Sequence, residues 1–354
     1  MNSILRIKPL GPARLAALPI ADMNVFGIQK VLGVPLPSTI LGILGVVNSI
    51  VLNEGDVEKD SLLGIGILTE LLSKNAPPLK TIIEGPIINT AFSITNPCLT
   101  IPILTKEGTV LVKIENEVIK TISNELIVPR SALVGKAIQR LEIGVALRDS
   151  LEGNWNKVVA PGYTFRRGFI HYVRMNGKAM EFEFIYKLNI HHNVINTLVR
   201  LGGEGRQARL VITDKVPNVL LKYLNYITSP LEANSGLYIV LNYWPLIPTS
   251  PNTLYLERDK VIGLEFFEDP SEDIIGIPQI VRRNKEYRRP RKEVIRIGLG
   301  FSEVLKRRRP QILALPPGTL VYIRYTFDEL RDELPSTYIK LLMAGYSSLF
   351  KLKT

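Results

Sequence analysis

Apolar residues at 4–7 are followed by Pro9, and the block predicts a short first strand. A longer apolar block follows, with no charged residue across residues 31–52. Pro35 and Pro37 keep a helix out of its first third, so residues 38–52 are expected as a buried helix with Ser38 as its N-cap. That length falls short of a membrane span. Residues 64–72 predict another short helix. From Gly85-Pro86 onward the pattern changes to short extended segments: 99–104 and 109–114 around a Lys106-Glu107-Gly108 turn, then 126–130 and 144–146. Residues 166–173 and 180–188 read as strands, the second placing Met180, Phe182, Phe184, Tyr186 and Leu188 at alternate positions.

Residues 191–201 read as a helix, followed by the glycine turn 202–205 and the alternating run Arg206-Gln207-Ala208-Arg209-Leu210-Val211-Ile212. The same order of strand, helix, glycine turn and strand recurs at 319–325, 335–344, Gly345 and 346–352. Both halves also open alike, with ILRIKPLGP near residue 4 and LYIVLNYWP from Leu237. The expected fold is therefore α+β: two ferredoxin-like βαββαβ units with insertions, at residues 1–215 and 216–354.

Net charge adds a feature that periodicity does not show. The chain carries +11, of which residues 281–309 carry +9 from twelve Lys or Arg and three Glu. Arg282, Arg283, Arg288, Arg289, Arg291, Lys292, Arg307, Arg308 and Arg309 form a patch suited to phosphates or to a partner protein. It is broken by Pro290 and contains the apolar stretch VIRIGLGFSEVL, so a loop or projecting hairpin in the second unit is expected. The single cysteine, Cys98, excludes an internal disulfide framework and a multi-cysteine metal site, and fits a cytoplasmic protein. Arg6, Lys8 and Arg14 interrupt the first residues, so no signal-peptide core forms there. No cofactor, metal or membrane is expected.

The stretch Leu201-Gly202-Gly203-Glu204-Gly205-Arg206 lacks the partners of a P-loop, and it follows a predicted helix where a dinucleotide fingerprint would follow a strand. Its glycines permit positive φ and close approach of backbone amides, with Arg206 and Arg209 adding charge. A phosphate-facing turn and a helix C-cap both remain open. Arg166-Arg167-Gly168-Phe169 matches the start of an RNA-recognition strand, although its aromatics equally suit a core. His191 and His192 are adjacent and do not share a helix face; one of them could act as general acid or base in RNA cleavage.

Several of these segments resemble the third-subunit family of the type III-B CRISPR effector, the Cmr complex, within the RAMP superfamily. Leu36-Pro37-Ser38-Thr39-Ile40-Leu41-Gly42 is similar to its P-S-T helix opening, and Gly85-Pro86 to its G-P segment. Residues 201–206 resemble its glycine-rich loop, and Pro316-Pro317-Gly318-Thr319-Leu320-Val321-Tyr322 its P-A-G-S-V-Y strand. Gly345-Tyr346-Ser347 resembles its terminal glycine turn without the second glycine, and Arg14 and Asp22 depart from its usual Arg/Asp spacing. The resemblance implies a non-catalytic RNA-binding subunit in antiviral defence. It implies binding to the 5′ handle of the guide RNA and docking on a large palm-domain subunit and a backbone RAMP subunit. The RNA-binding residues expected are Arg14, Ser38, Thr39, Arg166, Arg167, Gly202, Gly203, Gly205, Arg206 and Arg209.

Overall fold

The computed structural model describes the chain except residues 1–2, 14, 16–31, 75–78, 92–93, 107, 115–119, 123–124, 150–156, 203–205, 251–256, 281–288 and 353–354, with backbone alone at 120–122, 125–127, 141–149 and 157–167. The first strand is β1 (Ser3–Pro9). Three helices follow: α1 (Pro37–Val47), α2 (Glu54–Lys59) and α3 (Ile65–Ser73). The expected buried helix is real but ends five residues early, and its N-cap is Leu36, with Pro37 in the first turn. Proline suits that turn because its missing N–H would have no partner there. Ser38 instead turns its hydroxyl inward.

Strand β2 (Ile83–Asn89) is buried at all seven positions. Between it and the next core strand lie β3 (Leu99–Thr105), β4 (Gly108–Lys113), β5 (Lys120–Ile122), β6 (Glu125–Val128), β7 (Leu133–Asp149) and β8 (Lys157–Arg174). β7 pairs with β4 only near its start, and pairs with β8 along nearly its whole length as a long two-stranded ribbon. The first half closes with β9 (Glu183–Leu188), β10 (Ile195–Arg200) and β11 (Gln207–Thr213).

The helix expected at 191–201 is therefore a correction: residues 195–200 form a strand that pairs antiparallel with β11, Ile195 opposite Ile212 and Val199 opposite Ala208. Ile195 and Val199 both pack on the core. A spacing of four satisfies a helical face and a strand face alike, so periodicity alone did not separate the two. The β-branched side chains Ile195, Thr197 and Val199 and the open edge of β11 favour the strand.

The second half begins with α4 (Asn218–Leu224), β12 (Ile227–Thr228), β13 (Gly236–Val240), β14 (Trp244–Pro248), β15 (Val261–Ile262), α5 (Pro270–Asp273), β16 (Ile274–Gly276) and β17 (Gln279–Ile280). It continues with β18 (Ile295–Gly298), β19 (Phe301–Ser302), β20 (Arg307–Arg308), β21 (Gln311–Leu315), β22 (Leu320–Ile323), α6 (Phe327–Leu330), α7 (Ser336–Met343) and β23 (Leu349–Lys351). Here the predicted strand, helix, glycine turn and strand are all present.

The result is an α+β protein of chiefly antiparallel sheets. The larger runs β10-β11-β1-β9-β2-β3-β4-β7-β8, and the second β12-β23-β13-β22-β16. In each, an early strand of the half is flanked by the half's final strand and by another late strand: β11-β1-β9 and β23-β13-β22. A parallel pair, β17 with β6, ties the two halves across the chain.

Both faces of the first sheet are covered. Leu5, Ile7, Phe184 and Tyr186 face the helices, packing with Ile40, Leu44, Leu68 and Leu341. Ile4, Ile87 and Ile185 face the other way, against Leu220, Ile239, Leu320 and Phe350 of the second half. A third cluster around Trp244, Phe266, Phe267 and Tyr338 fills the second half. Asn242 joins the halves: its Nδ2 donates to Gly85 O at 2.8 Å and Gly345 O at 2.7 Å, and its Oδ1 accepts from Ser348 N. Gly345 has φ +103°, and a Cβ there would meet Ile83 O at 2.6 Å, so this turn requires glycine.

Candidate nucleic-acid interface

The strands before and after the glycines are β10 and β11, which pair antiparallel, so no helix precedes them. Leu201 N donates to Arg206 O at 2.8 Å, and Gly202 takes φ +71°, the left-handed region glycine tolerates. Gly203 and Gly205 lie outside the described residues. At the base of the turn the Arg206 guanidinium lies over the Phe169 ring, 4.5 Å from its centroid. Three residues along β11, Arg209 is exposed and donates from Nε to Asn196 Oδ1 at 3.0 Å. It sits in register with Lys8 on one side and Leu198 on the other.

The RNA-recognition-like stretch supplies the floor of this region and no base platform. Phe169 and Tyr172 are buried in the core, and the Tyr172 hydroxyl donates to Gly33 O. Arg166 and Arg167 lie further along the β7–β8 ribbon, in register with Ile143 and Glu142. Arg14 lies outside the described residues, but its neighbour Ala13 exchanges backbone hydrogen bonds with Ile170, beside Phe169.

Ser38 is buried. Its Oγ donates to Leu299 O at 2.9 Å and accepts from the Tyr346 hydroxyl at 3.2 Å, so its hydroxyl ties α1 to the second half. Burial pushes the Tyr346 phenol up to about 12, against the opposing pulls of the Ser38 bond and the Arg309 charge. Thr39 is half-buried in the first turn of α1.

The basic segment separates into cations spent on structure and cations on show. Arg291 pairs with Glu293, and Lys292 donates to Ser271 O. Arg309 Nε donates to Leu63 O at 3.0 Å and Arg309 Nη1 to Phe301 O at 2.7 Å, and desolvation lowers the guanidinium's pKa from its ordinary value. Arg289, Arg307 and Arg308 are exposed. Arg282, Arg283 and Arg288 lie outside the described residues. The loop or projecting hairpin expected over the basic segment is met only in β19–β20, with Phe301 opposite Arg308 and Ser302 opposite Arg307; β18 is instead a strand paired with β21, with Ile295 and Ile297 in the core.

These interactions bring distant sequence positions together: 13 with 170, 206 with 169, 33 with 172, and 38 with 299. Sequence reasoning did not single out Phe301, which lies in the apolar stretch of the basic segment and is 45% exposed. His191 is exposed; His192 is half-buried, with Nδ1 2.9 Å from Asn193 O. Among the described residues no group of three or more His, Cys, Asp or Glu could hold a metal ion, and no helix is long and apolar enough to cross a membrane.

The fold and this region define an α+β protein of chiefly antiparallel sheets that presents arginines beside a glycine turn and on a tethered hairpin. No protein-family model matches the chain, and no curated protein matches it in sequence. Among solved structures it is similar over 99% of its length to 96% of a chain in the type III-B Cmr-beta bound to cognate target RNA and AMPPnP, determined by cryo-electron microscopy, with TM-score 0.59 and 19% identity. A chain of type III-B Cmr-beta bound to cognate target RNA matches over the same shares at the same identity, with TM-score 0.56. At that identity the likeness establishes a shared fold.

Proposed function

We propose that this chain is a non-catalytic RNA-binding subunit of a type III-B CRISPR interference complex, holding the 5′ handle of the guide RNA. The observation that carries the reading is the fold likeness to a chain of the RNA-bound type III-B Cmr-beta, which spans almost all of both chains at 19% identity. The units at 1–215 and 216–354 are then two ferredoxin-like units. The strand orders β11-β1-β9-β2 and β23-β13-β22-β16, equivalent in chain sequence, support that assignment.

In this reading Arg206 and Arg209 contact handle phosphates beside Gly202. Single-stranded RNA is held by such phosphate contacts together with individually splayed bases. Ser38 acts indirectly, by fixing α1 against the segment that leads into the β19–β20 hairpin. Docking on a large palm-domain subunit and on a backbone RAMP subunit completes the proposal.

The test is binding of repeat-derived RNA to the purified chain, followed by electrophoresis of the recovered RNA. Salt-sensitive binding with intact RNA is expected. Metal-independent cleavage that disappears in His191→Ala or His192→Ala would instead make the chain a guide-processing endoribonuclease.

A further inference from the structure

Phe301 is the only exposed Phe, Tyr or Trp among the described residues, and it stands on a hairpin that carries Lys306, Arg307 and Arg308. Its cross-strand partner is Arg308, so ring and guanidinium share a face of the hairpin. Arg307 is exposed on the adjacent position, and Lys306, in the turn, pairs with Glu303 at 3.2 Å where both are exposed. Neither Arg307 nor Arg308 forms an ion pair with a described residue.

The hairpin is held in place. Arg309 N donates to Gly300 O at 2.9 Å and Leu299 N to Pro310 O at 2.9 Å, closing its base. Arg309 fastens Phe301 O to Leu63 O through its guanidinium, and Ser38 holds Leu299 O. A hairpin backbone anchored in this way loses little conformational freedom on binding, which favours a preformed contact.

We infer that the β19–β20 hairpin is a stacking platform for one unpaired base of single-stranded RNA. The Phe301 ring takes the face of the base, and Arg308 and Arg307 take the phosphates on either side. This assignment rests on the proposed function and adds a second RNA contact to the one beside the glycine turn. The surroundings of the ring favour RNA over a protein surface: Glu303, Lys306, Arg307 and Arg308 are all exposed and charged, leaving one ring of apolar area where a protein interface core would need more.

The experiment uses the full chain and short single-stranded RNAs of repeat sequence carrying 2-aminopurine at successive positions. Fluorescence reads stacking and anisotropy reads affinity. Quenching at one position is expected, and Phe301→Ala should abolish it together with about tenfold in affinity. Phe301→Trp restores both, and melting of the variants matches the wild type. Phe301→Ala that binds and quenches like the wild type overturns the platform and leaves the RNA-binding reading standing. No RNA binding by the wild type overturns both. Unchanged RNA affinity in Phe301→Ala with loss of a co-purifying subunit assigns the ring to a protein interface and also overturns the platform.

Discussion

The guanidinium of Arg206 lies over the ring of Phe169, 4.5 Å from its centroid, joining the end of the glycine turn to the long ribbon strand. Phe169 is itself buried, so Arg206 is oriented by a rigid floor. Such a cation–ring pair is worth about 1 kcal/mol at a half-buried site, too little to decide whether the protein folds. We expect Arg206→Ala to lower affinity for handle RNA about tenfold while shifting the melting temperature by no more than a few degrees. Fluorescence anisotropy beside a thermal melt checks this, and unchanged affinity would remove Arg206 from the interface.

Ser38 is expected to behave in the opposite way. Ser38→Ala leaves Leu299 O and the Tyr346 hydroxyl without their buried partner, a destabilisation of about 1–3 kcal/mol. The melt should drop clearly, while RNA affinity per folded molecule falls little. A large fall in affinity with an unchanged melt would instead make Ser38 a direct RNA ligand.

Salt dependence follows from the arginines assigned to phosphates. If Arg206, Arg209, Arg307 and Arg308 each neutralise one phosphate of a single strand, log Kd should rise with log salt at a slope of about 3. Replacing Arg307 and Arg308 together with Ala should reduce the slope by about 0.7 for each phosphate no longer neutralised. A slope near zero in the wild type would argue that the patch serves a protein.

Glu84 provides a pH test. It is fully buried in β2 beside Lys187, with Lys187 Nζ to Glu84 Oε2 at 2.7 Å. Desolvation raises its pKa to about 7, against the attraction of Lys187. The folded state therefore holds this proton more tightly than the unfolded chain does. The contribution is present in full below the ordinary carboxylate pKa of 4.5 and is lost as pH rises to about 7. Its size is on the order of 3 kcal/mol. Chemical denaturation of the wild type and Glu84→Gln between about pH 4.5 and about pH 8 should show the wild type losing stability relative to the variant across that window. Parallel curves would refute the buried, proton-retaining carboxylate.

Much of the second half was legible because its signals were local and unambiguous. Strand 320–323, helix 336–343 and the Gly345 turn each carry their own periodicity and punctuation. The first half was harder. Ile195 and Val199 fit two periods, and the choice fell to the free edge of β11. The aromatics of 169–172 suited either a nucleic-acid strand or a core in one dimension; in three they are buried, with Phe169 beneath Arg206.

By itself the sequence determined the α+β alternation, the position of the buried helix α1, the glycine turns and the location of excess positive charge, since each depends on residues within a few positions of one another. The tertiary structure decided which of those residues are available. Arg309 and Arg308 are neighbours of like charge, yet one lies against Leu63 O and the other faces solvent. Ser38 heads a helix, yet its hydroxyl is taken by residues more than 250 positions away. Burial and long-range hydrogen bonding depend on the approach of distant segments, which no local pattern records.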